Sequence, residues 1–186
     1  MKIGYQGDFF SNSEEAAHLL VKKRGIQNAI FIPLISSQNV INALKNKEID
    51  FGVMAIQNKI AGPVLETSLA LTKEYEQIDT LTLPIHHCLF KKTKTSAINV
   101  VTSHIQALLQ TKNYRKKFFP YLQEIESEDT ALAAKKLSTG EISDSHAIIC
   151  RKNAGLFYGL FLIKENIEDD KKNETTFGLF QLKNEK

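Results

Sequence analysis

Phe51-Gly52-Val53-Met54-Ala55-Ile56 is a nearly continuous apolar run, the pattern of a strand buried on both faces. A strand with no solvent face needs layers packed on each side, which restricts the chain to sheets flanked by helices. The neighbouring sequence supplies those helices. Ser13 reads as an N-cap, Glu14 and Glu15 suit a first turn, Lys22, Lys23 and Arg24 suit a last turn, and Gly25 supplies the stop. A strand over 29–32 and a Ser37-capped helix carrying Val40, Ile41 and Leu44 precede the buried run, and Pro63 fits the first turn of the next helix.

The alternation recurs in the second half. Strands are predicted over 98–101, 122–125 and 146–150, helices over 104–112 and 114–119, and a further helix capped by Asp129. This predicts an α/β architecture with mainly parallel sheets. The apolar stretch Thr80–Phe90 is long enough to cross between two lobes, and a last strand over 175–182 can cross back. A single domain over 1–186 is expected, with lobe A about 1–80 plus 174–186 and lobe B about 81–173.

The 186 residues carry a net charge of +3, spread through short clusters such as Lys91-Lys92-Thr93-Lys94 that lack interleaved aromatics, so nucleic acid is not an expected partner. No apolar run approaches the roughly 20 residues of a membrane span. The start reads as having no signal peptide, and Cys88 and Cys150 read as buried free thiols rather than a disulfide, so a cytoplasmic location is expected. The adjacent His86 and His87 point to opposite faces of a strand, which disfavours a shared metal; no metal is expected. Alone, His87 reads as a packed or hydrogen-bonded structural residue.

Several segments, in order, resemble one family. Gly4-Tyr5-Gln6-Gly7-Asp8-Phe9 with Ser13-Glu14-Glu15-Ala16-Ala17 resembles the opening of prephenate dehydratases. Asp50 through Lys59, followed by Gly62, Val64 and Thr67, resembles Asp-x-Gly-x-x-Pro-Ile-Glu-Asn-Ser and Gly-x-Val-x-x-Thr. Ser103-His104-Ile105-Gln106-Ala107-Leu108-Leu109-Gln110 resembles Ser-His-Pro-Gln-Ala-Leu-x-Gln, and Asn173-Glu174-Thr175-Thr176-Phe177 resembles Asn-x-Thr-Arg-Phe. The likeness runs from Ile3 to about Leu182 and concerns the catalytic part of the family, without its small regulatory domain.

The resemblance implies a two-lobed, periplasmic-binding-protein-like (type 2) α/β fold with a ligand cleft between the lobes. It implies a lyase that turns prephenate into phenylpyruvate, water and carbon dioxide in phenylalanine biosynthesis, without a cofactor, and it admits a homodimer. Thr175 matches the family's catalytic threonine. Asn58, Gln57, Lys59, Ser103, His104, Gln106, Gln110, Thr176 and Phe177 fall on substrate-pocket positions. Arginine has become Thr176, glutamate has become Gln57, and serine has become Lys59, so the carboxylate fork is lost and a point charge is gained nearby. Those exchanges keep two alternatives open: a binder or sensor of prephenate or an aromatic amino acid, and a diverged prephenate decarboxylase.

Overall fold

The computed structural model describes residues 1–183. The chain divides into two compact units, the first built from 1–8, 12–84 and the segment from Glu174 onward, the second from 9–11 and 85–173. The chain therefore passes between units after Pro84, a few residues beyond the boundary expected near residue 80.

In the first unit, β1 (Lys2–Tyr5), α1 (Asn12–Lys23), β2 (Ile30–Pro33), α2 (Ser37–Lys45), β3 (Phe51–Asn58), β4 (Gly62–Pro63), α3 (Leu65–Ala70) and β5 (Tyr75–Pro84) follow one another. The second unit holds β6 (Cys88–Lys91), β7 (Val100–Ser103), α4 (Ile105–Gln110), α5 (Lys112–Phe118), β8 (Gln123–Glu126), α6 (Thr130–Thr139), β9 (His146–Cys150), α7 (Lys152–Phe157) and β10 (Phe161–Lys164). β11 (Glu174–Leu182) returns to the first sheet, where it lies between β3 and β5.

The sheets are mixed rather than mainly parallel. The first runs β2-β1-β3-β11-β5, with β4 beside β3; β1 is parallel to β2 and β3, and β11 is antiparallel to both neighbours. The second runs β10-β6-β9-β7-β8, with β7 parallel to β8 and β9, and β6 antiparallel to β9 and β10. Local patterns cannot show this, because buried parallel and antiparallel strands carry the same apolar run.

The expected burial of β3 is met: Val53 and Met54 are fully buried, and Val40, Ile41, Leu44, Ile49, Met54, Tyr75 and Phe180 form one core cluster. Gly52 lets α2 approach closely, since a Cβ there would stand 2.5 Å from Val40 Cγ1. In the second unit Phe90, Leu137, Ile148 and Leu160 pack on one side of the sheet. Leu89, Val101, Leu108, Ile149 and Ile167 form a separate cluster, as alternate residues of β6 and β9 must. Cys88 and Cys150 are free, buried and opposite one another across β6 and β9, and burial pushes the Cys150 thiol far up.

Three local expectations are corrected. Ser13 lies inside the first turn of α1 rather than before it. The cap of α2 is Ser36, whose Oγ accepts from Asn39 N at 3.1 Å, while Ser37 Oγ is buried against Thr67 Oγ1 at 2.8 Å. Pro63 lies on the two-residue strand β4, where an edge tolerates a missing N–H, and α3 starts at Leu65. Asp129 caps α6 as expected, accepting from Leu132 N at 2.8 Å.

Candidate active site

In the first unit the register of β3 against β11 sets Asn58 opposite Thr175 and Gln57 opposite Thr176. Asn58 is fully buried, and its side chain is used at both ends. Its Oδ1 accepts from Ile60 N (2.9 Å) and Ala61 N (2.8 Å), which fixes the turn leaving β3. Its Nδ2 donates to Glu174 O (3.0 Å) and to Thr175 Oγ1 (2.8 Å). With Oγ1 accepting from an amide, the hydroxyl proton of Thr175 remains for another acceptor.

Side chains alternate along a strand, so Thr176 turns to the face opposite Thr175. There its Oγ1 lies 2.9 Å from Thr82 Oγ1 of β5, beside the exposed Gln57. The two departures from the family pattern at 57 and 176 are thus one cross-strand pair, from which both charges are gone. Lys59 Nζ is 3.1 Å from Glu174 Oε2, with both side chains about half exposed, so its charge is already answered. Phe177 shares the face of Thr175 and is 1% exposed; it contributes packing under the signature rather than an open contact surface.

In the second unit Ser103 is fully buried and donates to Ile149 O at 2.6 Å, which spends its proton on the neighbouring strand. His104 caps α4, its Nδ1 accepting from Gln106 N at 3.3 Å, and Gln106 is half-buried in the first turn. Gln110 closes the same helix. Its Oε1 lies 2.6 Å from His87 Nε2 and accepts from Asn173 Nδ2 at 2.9 Å.

Glu168 lies behind that group, its carboxylate accepting from His87 N at 3.0 Å and pairing with His86 Nδ1 at 3.0 Å. Burial tends to raise this carboxyl, but the His87 N–H and the His86 ring outweigh it and leave Glu168 below its ordinary range. Burial lowers the His87 pKa and keeps the imidazole neutral. The motifs did not single out Glu168. Asn173 stood within the signature, but nothing in sequence spacing announced its contact with Gln110 63 positions away. Among the described residues no group of three or more His, Cys, Asp or Glu side chains is gathered as a metal ion would require.

The family model for prephenate dehydratase matches residues 3–185. The chain belongs to the prephenate dehydratase family. It is 31% identical over 180 residues to the arogenate dehydratase/prephenate dehydratase 1 of Arabidopsis thaliana, a chloroplastic protein, with 95% of this chain and 44% of that relative covered. The chain spans less than half the length of the plant relatives it matches.

The prephenate dehydratase of Arthrobacter aurescens, solved in complex with L-Phe, superimposes with a TM-score of 0.79 at 22% identity, covering 100% of this chain and 61% of that one. A putative methionine-binding lipoprotein of Bacillus subtilis shares the fold at a TM-score of 0.53 and 13% identity, covering 98% of this chain and 83% of that one. The α/β fold is therefore the two-lobed, periplasmic-binding-protein-like type. Among the described residues, no helix is long and apolar enough to cross a membrane.

Proposed function

We propose that this chain is a dehydratase-type lyase of phenylalanine biosynthesis, converting prephenate to phenylpyruvate, carbon dioxide and water. The observation that carries the reading is the 2.8 Å hydrogen bond from Asn58 Nδ2 to Thr175 Oγ1, which joins two of the family's motifs on adjacent strands. In the reaction the ring carboxylate leaves as carbon dioxide, its electron pair enters the ring, and the ring hydroxyl departs from the opposite carbon. The C–O pair departs with the hydroxide, which takes up a proton to become water, and the pair left by carbon dioxide replaces it in the ring, so no oxidant or reductant is consumed. Hydroxide is a poor leaving group, and a positioned donor at that oxygen lowers the barrier. The Thr175 hydroxyl serves as that donor, and accepting from Asn58 polarises it for the task.

Gln110, Gln106 and His104 are the proposed ligand-binding residues of the second unit, with Ser103 buried behind them, and Lys59 that of the first; Gln57 and Thr176 stand on the strand face away from Thr175. Gln110 is the strongest of them, because it is a buried amide with an unused N–H₂ group. Phe177 supports the signature from below. The same reading places the protein in the cytoplasm, without nucleic-acid or membrane partners, and accommodates a homodimer.

Incubation with prephenate and measurement of phenylpyruvate enolate absorbance in alkali tests the proposal. The absorbance is expected to rise with the wild-type chain and not with Thr175→Ala. Prephenate binding without product would make the protein a binder or sensor instead, and loss of carbon dioxide with the hydroxyl retained would make it a decarboxylase. A second reading rests on the plant relative, whose name pairs both substrates: arogenate in place of prephenate. Supplying each compound separately and identifying phenylpyruvate or phenylalanine by mass distinguishes the two.

A further inference from the structure

Gln110 ends α4 with its side chain 4% exposed and its carbonyl oxygen between two donors. Asn173 Nδ2 donates to Oε1 at 2.9 Å, and His87 Nε2 lies 2.6 Å from the same atom. An amide oxygen only accepts, so His87 carries its proton on Nε2. That leaves Nδ1 as the bare ring nitrogen. His87 Nδ1 is also the only fully buried side-chain nitrogen or oxygen without a partner among the described residues.

The opposite arrangement, with Gln110 turned round and the proton on Nδ1, would orphan a buried N–H instead of a lone pair, which is the costlier fault. Among the described residues no acceptor takes the Gln110 Nε2 hydrogens, yet Nε2 is not among the fully buried unpartnered atoms. It therefore reaches solvent. Backbone contacts hold the assembly: Glu168 Oε2 accepts from His87 N at 3.0 Å, Ile167 N donates to His87 O at 2.9 Å, and Asp169 N donates to Gln110 O at 2.8 Å.

We infer that His87 and Asn173 are positioning residues that lock the Gln110 amide, carbonyl inward and N–H₂ outward, as a donor for an oxygen-rich anionic ligand. The inference rests on the dehydratase reading for the identity of that ligand, here prephenate. The locked amide presents the polarity a carboxylate or hydroxyl oxygen needs. A freely turning glutamine would offer its oxygen to the anion half the time.

Asn173→Asp, nearly isosteric, replaces the donor facing Oε1 with an acceptor and turns the Gln110 amide around. His87→Leu removes the second donor, whereas His87→Gln can supply an N–H in its place. Asn173→Asp and His87→Leu are expected to raise KM for prephenate about tenfold, the scale of one lost ligand hydrogen bond, with kcat much less affected. His87→Gln should stay within about threefold of wild type.

Nitrogen-15 NMR of the wild-type chain, selectively labelled in histidine, should show His87 neutral and protonated at Nε2 at pH near 7. This readout does not depend on turnover. A proton on Nδ1 overturns the inference, and so does an unchanged KM in folded Asn173→Asp. If prephenate is neither bound nor turned over, the dehydratase reading fails while the tautomer still decides how Gln110 is oriented.

Discussion

Thr175 serves the proposed chemistry only while its proton is free, and Asn58 keeps it free by filling the oxygen's acceptor side. Replacing the threonine removes both the donor and a partner of a buried amide. Thr175→Ala is expected to abolish turnover and to cost about 1–3 kcal/mol of stability, because one Asn58 N–H loses its acceptor. Thr175→Ser keeps the hydroxyl and should retain measurable activity in the same assay. Urea unfolding monitored alongside turnover separates the two effects. Equal turnover in wild type and Thr175→Ala would remove the threonine from the mechanism.

The pairing of β3 with β11 decides what the altered signature means. Because Gln57 and Thr176 face each other and Thr176 meets Thr82, the missing arginine and the missing glutamate concern one patch, on the side of the strand away from Thr175. Restoring both charges with Gln57→Glu and Thr176→Arg should reveal a favourable coupling of about 0.2–1 kcal/mol in a double-mutant cycle, the range for opposite charges directly across strands. Chemical denaturation of the four proteins measures it, and additive effects would show that the two positions do not communicate. At the helix level, Asp129→Ala removes the acceptor for Leu132 N and should destabilise the second unit by about 1 kcal/mol. Its unfolding midpoint in urea checks this.

Acid should weaken the molecule in two stages, to each of which a buried group of the second unit contributes. His87 has an ordinary pKa of 6.5 that burial lowers. The unfolded chain therefore takes up this proton first, and stability begins to fall as pH drops below that value. Glu168, with an ordinary pKa of 4.5, ionises more readily folded than unfolded, for all that burial opposes it, because His87 N–H and His86 hold its charge. Its contribution is present above 4.5 and is lost as pH falls through the lower folded value. Unfolding midpoints measured against pH should show both steps. Glu168→Gln should shrink the lower step, leaving the share of Asp79, which the Lys23 hydrogen bond holds low, and His87→Gln should shrink the upper, leaving that of His146, which burial lowers.

Much of this architecture could be read along the chain, because burial and capping leave local marks. The apolar run at 51–56, the charge bias and Gly25 stop of α1, and the Asp129 cap all lie where local chemistry put them. The ordered motifs named the family and brought Asn58 and Thr175 forward as candidates. What they could not supply was direction and distance. Strand polarity was misjudged, since an apolar run looks the same in either sense. Ser37 rather than Ser36 was expected as the cap, since adjacent serines are equivalent until the backbone turns. Only the folded register set Thr176 against Gln57 and gave Lys59 to Glu174. Only the packing of distant segments brought His87 and Asn173 onto one oxygen of Gln110. Hydrogen bonds between residues far apart in the chain are specified by how the layers pack, and packing leaves no period in the sequence to read.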